Sequence, residues 1–143
     1  MPAPSSEGLR IAIRALARRE LSVAEVAVRL ERAGVRAEER EATIEHLCAS
    51  GYLSDARAAQ ERARILAERG RGDAAIRADL QGRGIGEAAR EAALASLPPE
   101  NVRVEELIDR IGCSPKLAET LRRRGFSEET VEALRRAAVA EQL

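Results

Sequence analysis

The chain has 143 residues, 45% apolar and 34% charged, and its only aromatics are Tyr52 and Phe126. Its 24 basic and 24 acidic residues cancel, which argues against a protein held to nucleic acid by bulk charge alone. Cys48 and Cys113 stand far apart without CxxC or CxxH neighbours, which excludes a readable zinc or thiol-redox motif. Both cysteines are expected as small core residues in a reducing, cytoplasmic setting. No apolar run approaches the roughly 20 residues of a membrane span, and no signal peptide is expected. Ala, Leu, Arg and Glu, all good helix formers, dominate the composition, so the fold class is all-α.

In chain order, residues 1–8 read as a flexible start. Leu9, Ile13, Leu16 and Ala17 predict a helix over 9–19. Ser22 with Glu25 is a capping box that opens a second helix, ended by Gly34. A third helix covers 37–49 with Ile44, Leu47 and Cys48 inward, and stops at Gly51. Asp55 reads as the cap of a fourth helix running to about 69, more a cap than a functional acid. Gly70-Arg71-Gly72 is a turn, and Asp73 stands at the start of a fifth helix ended by Gly84. A sixth carries Ala89, Ala92, Ala93, Leu94 and Leu97 and is closed by Pro98-Pro99. The seventh carries Val104, Leu107, Ile108 and Ile111. Ser114-Pro115 reads as cap and first-turn proline of an eighth, ended by Gly125. Ser127, Glu128 and Glu129 open a ninth with Val131, Leu134 and Ala138 inward.

One device recurs among these elements. Val26-Leu30-Gly34-Val35, Ile76-Leu80-Gly84-Ile85 and Leu117-Leu121-Gly125-Phe126 share one spacing: two apolar residues on a helix face, a left-handed glycine, then an apolar residue that folds back. Three copies of a helix ending imply three copies of a module. Three tandem three-helix repeats are therefore expected, at 9–53, 54–99 and 100–143. Charge follows the same plan. Residues 9–36 hold seven Arg against three Glu, net +4, whereas 37–60 are net −3. Residues 61–85 are net +2 and 86–109 net −4, then 110–126 are +4 and 127–143 are −2. First and second helices are mostly basic, and third helices are acidic. Such patterning fits either pairing between helices or a polarised face turned to an acidic partner or a nucleic-acid backbone.

Several ordered motifs resemble one family. Gly51-Tyr52-Leu53-Ser54-Asp55-Ala56-Arg57 matches a GYL-x-D-x-R signature, and Arg69-Gly70-Arg71-Gly72 an R-G-x-G turn. Ile76-Arg77 with Leu80, then Arg83-Gly84-Ile85, matches an I-x-x-x-L segment followed by K/R-G-I. Together they resemble the RecX family of regulators of the RecA recombinase, over about 9–97, with Ala58 standing where the family usually has Phe. The resemblance implies an elongated, curved array of three-helix repeats. It also implies a non-enzymatic modulator that binds in the groove of the RecA filament on single-stranded DNA and reduces strand exchange and ATP turnover. A monomer is expected, with direct DNA contact as an open option.

The partner-binding candidates are Tyr52 and the arginines around the central turn: Arg57, Arg62, Arg64, Arg69, Arg71 and Arg77. Forked cations beside a glycine turn suit carboxylates or phosphates. Tyr52 is expected between modules with its hydroxyl near the surface. His46 stands alone, and there is no P-loop, no paired catalytic carboxylate and no Ser/His/Asp pattern, so no catalytic, metal or cofactor residue is assigned. Two other readings remain: a helix-turn-helix-like DNA-binding protein and a helical adaptor for another protein.

Overall fold

The computed structural model describes residues 2–142, with side chains through 141. The described residues form nine helices and no strand. They are α1 (Ser6–Leu16), α2 (Val23–Arg32), α3 (Ala37–Ala49), α4 (Asp55–Glu68), α5 (Asp73–Gly82), α6 (Glu87–Ala95), α7 (Glu100–Ile111), α8 (Leu117–Arg123) and α9 (Glu128–Gln142).

Their apolar stripes close three separate cores. The first, under α1–α3, gathers Leu21, Val26, Leu30, Val35, Leu47 and Leu53 around Ala12. The second, under α4–α6, sets Leu66, Ile76, Leu80 and Ile85 against Ala58, Ala59, Ala63 and Ala93. The third, under α7–α9, holds Val104, Leu107, Leu121, Phe126 and Val131. Leu30, Leu47, Ile76 and Leu80 are fully buried, each worth about 2 kcal/mol over an exposed side chain. Ala58 is buried within the second core, where a small side chain lets helices approach closely.

Several expectations about individual positions need correction. The chain start is held rather than loose: Ser5 Oγ accepts from the Gly8 amide at 3.0 Å, and the Ser5 amide donates to Thr43 Oγ1 at 2.9 Å. The first helix therefore begins three residues before the first apolar residue of its stripe. Cys48 and Cys113 are exposed, not core. Partial desolvation, then the negative charge of Asp55, pushes the Cys48 thiol up. Ala92 and Ala138 are exposed, and Ile111 is 44% exposed. Ser54, not Asp55, caps α4, accepting from the Arg57 amide at 3.2 Å. Ser114 makes no side-chain cap for α8.

All three glycine turns take the same form. Gly34, Gly84 and Gly125 have φ of 85°, 76° and 91°. In each, the amide after the glycine bonds the carbonyl five residues back: Val35 to Leu30 at 3.0 Å, Ile85 to Leu80 at 3.1 Å, Phe126 to Leu121 at 3.0 Å. The glycine amide bonds three back, at 3.0 Å in every copy. This is a Schellman closure, with its apolar contact supplied by the following residue.

Two of these turns are also joints between helix triplets. The end of α5 docks on the start of α2, where Ser22 Oγ donates to the Arg83 carbonyl at 2.6 Å. The end of α8 docks on the start of α5, where the Gly72 amide donates to the Arg124 carbonyl at 2.8 Å and the Ala74 amide to Gly125 at 3.1 Å. Donors left over at one helix start meet acceptors left over at another helix end, and the helix dipoles oppose there favourably. The approach is close: a Cβ on Gly84 would lie 2.5 Å from the Ala24 methyl, and one on Gly125 would lie 2.5 Å from that of Ala75. Gly34 has nothing within 4 Å, so the first copy of the turn is a free end.

Candidate partner-binding surface

A network of polar groups secures the first joint. Arg62 grips Asp79 through two bonds of 3.0 and 3.1 Å, and Arg83 Nε reaches the same carboxylate at 2.8 Å. Arg83 Nη1 then donates to Glu25 at 3.1 Å. Glu25 is the capping-box acid, accepting from the Ser22 amide at 3.0 Å while Ser22 Oγ accepts from the Glu25 amide at 3.1 Å. One chain of bonds thus runs from α4 through α5 to the first turn of α2. Partial burial pushes the Asp79 carboxyl up, but the hydrogen bonds from Arg62 and Arg83 together outweigh it and hold it below the usual carboxylate range. Asp55 adds a second tie, accepting from the Val23 amide at 2.7 Å, so this acid serves the start of α2 rather than that of its own helix.

The central arginines divide by what they touch. Arg57 bonds Glu20 at 2.8 Å and the Tyr52 carbonyl at 3.1 Å, bracing the first joint from the other side. Arg62 belongs to the network just described. Arg64 pairs along its own helix with Glu61 and Glu68, both at 2.8 Å. Arg77 forks onto Glu91 with two bonds of 2.9 Å. The Arg77 hydrogen bond holds the Glu91 carboxyl below its ordinary value, and the matching bonds raise Arg64 and Arg77. Arg69 and Arg71 flank the buried Gly70, with exposed side chains that have no ion pair among the described residues. Only their backbone is engaged: the Arg69 carbonyl accepts from Arg124 at 3.2 Å.

The six arginines and Tyr52 therefore differ in what they engage. Arg57 and Arg64 share a cleft of about 510 Å³ with Glu20 and Glu61. Arg69 and Arg71 sit at the α4–α5 turn against the third triplet. Tyr52 is 54% exposed on the turn before α4, not packed between triplets. Among the described residues no three His, Cys, Asp or Glu side chains are placed to hold a metal, and no helix is long and apolar enough to cross a membrane.

The residues that spacing did not single out lie in the first triplet. Arg14, Arg18, Arg19, Arg29 and Arg32 are exposed and have no ion pair among the described residues. They account for most of the +4 charge of segment 9–36, a charge that segment 110–126 equals.

No family model matches the chain. Two solved structures share the fold. The crystal structure of RecX from Lactobacillus salivarius superposes with a TM-score of 0.77 at 21% identity, covering 92% of this chain and 94% of that one. A crystal structure of regulatory protein RecX gives 0.75 at 20% identity, covering 91% of this chain and 72% of that one. In sequence, the chain is 35% identical over 108 residues to regulatory protein RecX of Syntrophotalea carbinolica, spanning 75% of this chain and 71% of that protein. At that identity and over that share of both sequences, the chain belongs to the RecX family.

Proposed function

We propose that this protein modulates the RecA recombinase, mainly as an inhibitor, by seating in the groove of the RecA filament on single-stranded DNA. There it reduces strand exchange and ATP turnover without chemistry of its own. The observation that carries this reading is the repeated joint. The end of α5 meets the start of α2, and the end of α8 meets the start of α5, by the same turn. A binder built as three repeats, 9–53, 54–99 and 100–143, offers equivalent surfaces in succession, which suits a groove lined by successive identical protomers. Individually weak contacts then add through effective concentration.

Arg69, Arg71 and Tyr52 are the exposed contact candidates on the middle repeat, with Arg57, Arg64 and Arg77 available only if a partner acid replaces their present ones. Arg62 holds the joint and shapes the surface from behind. The reading takes the protein to be a cytoplasmic monomer in its free form. The test is RecA-driven strand exchange and DNA-dependent ATP hydrolysis with this protein added below one copy per protomer. Both rates fall on this account; rates unchanged at equimolar protein would overturn it.

A further inference from the structure

The cleft between α1 and α2 encloses about 500 Å³ and is lined by Arg10, Arg14, Arg18, Arg19 and Arg29, with Glu7 the single acid. Glu7 already pairs with Arg10 at 3.3 Å, and the other four arginines have no ion pair among the described residues. On α4 and α5 most arginines are instead neutralised by acids, as Arg57, Arg62, Arg64, Arg77 and Arg83 show. Gathering four uncompensated guanidinium groups around one cleft works against the folded state through self-repulsion. A bound anion relieves it.

We propose that this cleft seats the phosphate backbone of single-stranded nucleic acid. Arg10 and Arg14 stand four residues apart on α1, a rise of about 6 Å, and Arg18 continues the row just beyond the helix end. That interval suits successive phosphates on one strand, and Arg29 reaches in from α2 on the facing side. The guanidinium fork fits a phosphate with two parallel bonds. The floor offers only Ile11 and Ala15, too little apolar surface for the core of a peptide interface. No aromatic lines the cleft, so bases find no stacking platform and binding is indifferent to sequence. This deepens the proposed function by giving the protein its own hold on the strand the filament carries. Its test uses no recombinase, so the two readings fail separately.

The experiment is fluorescence anisotropy with labelled oligothymidylate of about 20 nucleotides and the full chain, over a salt series. About four phosphate contacts give a log–log salt slope near −3, a loss of about 50-fold between 50 and 200 mM salt. The triple variant Arg14→Gln, Arg18→Gln, Arg29→Gln weakens binding at least about tenfold and flattens the slope by about 2. The matched triple Arg123→Gln, Arg135→Gln, Arg136→Gln, with the same change in net charge, stays within about twofold of the parent. Circular dichroism melts confirm that both triples fold. No binding by the parent chain, or equal losses in both triples, overturns the proposal. So does tighter binding of labelled polyglutamate than of the oligonucleotide with the same loss in the first triple, which would assign the cleft to an acidic protein segment.

Discussion

The first and middle triplets contain the same residue types in the same helical frame and use them differently. In the middle triplet Arg62 and Arg83 converge on Asp79, Arg77 grips Glu91 and Arg64 bridges two turns of α4. In the first triplet Arg14, Arg18, Arg19, Arg29 and Arg32 are exposed and have no ion pair among the described residues. The glycine turns divide along the same line, Gly84 clamped on Ala24 and Gly34 open. The middle triplet has neighbours on both sides: its ends are used in joints, and five of its arginines are paired with acids, while Arg69 and Arg71 have no ion pair among the described residues. The first triplet has a neighbour on one side only, and its outer face is left for something else. The same residue type is structural where an acid pairs with it and available where none does.

The largest expected effect separates the two glycines. Gly34→Ala forces a left-handed alanine, at about 1–2 kcal/mol. Gly84→Ala adds a methyl against Ala24 and should cost at least about 1 kcal/mol more, through overpacking at the joint. Urea denaturation of both variants reads the difference, and equal losses would erase the distinction between a joint and a free end.

Next come the arginines. Arg83→Ala removes charge-assisted bonds to both Asp79 and Glu25, partly buried, and is expected to cost about 2 kcal/mol. Arg29→Ala, with no partner, should stay within about 0.5 kcal/mol. Thermal melts on the pair would show whether pairing, rather than residue type, sets the stability.

A smaller effect appears on acidification. The folded Asp79 pKa lies below the unfolded value of about 3.9, so its pairing contributes stability above that pH and loses it as the pH falls through the folded pKa. Asp79→Asn should lower stability at neutral pH and flatten the acid limb of a stability–pH curve. An unchanged acid limb would mean the Arg62–Asp79–Arg83 contact contributes nothing to the folded state. Smallest of all, Arg64→Gln should leave the melting temperature unchanged, because both its ion pairs lie within one exposed helix face.

Much of the architecture could be read from local signals. The Ser22–Glu25 capping box and the three glycine turns depend on residues within a few positions of one another, and all form as their spacing implied. The misread positions are those whose partners are distant in sequence. Asp55 opens a helix and so reads as its cap, yet it reaches 32 residues back to the Val23 amide. Arg62 sits in a basic run and reads as available, yet its carboxylate partner lies on the next helix, 17 residues on. Cys48 follows the buried Leu47 on α3, but its side of the helix faces solvent. The segment charges mark basic helices in every triplet, +4 over 9–36 and again over 110–126, but net charge does not say which arginines have an acid within reach.

The central claim, that this chain restrains the RecA filament through an ordered row of contacts, is tested most directly by titrating DNA-stimulated ATP hydrolysis with the parent chain and with Arg69→Glu, Arg71→Glu. The account expects the parent to suppress hydrolysis well below one copy per protomer, and the double variant to need several times more protein. Full ATP turnover at equimolar parent protein would contradict it.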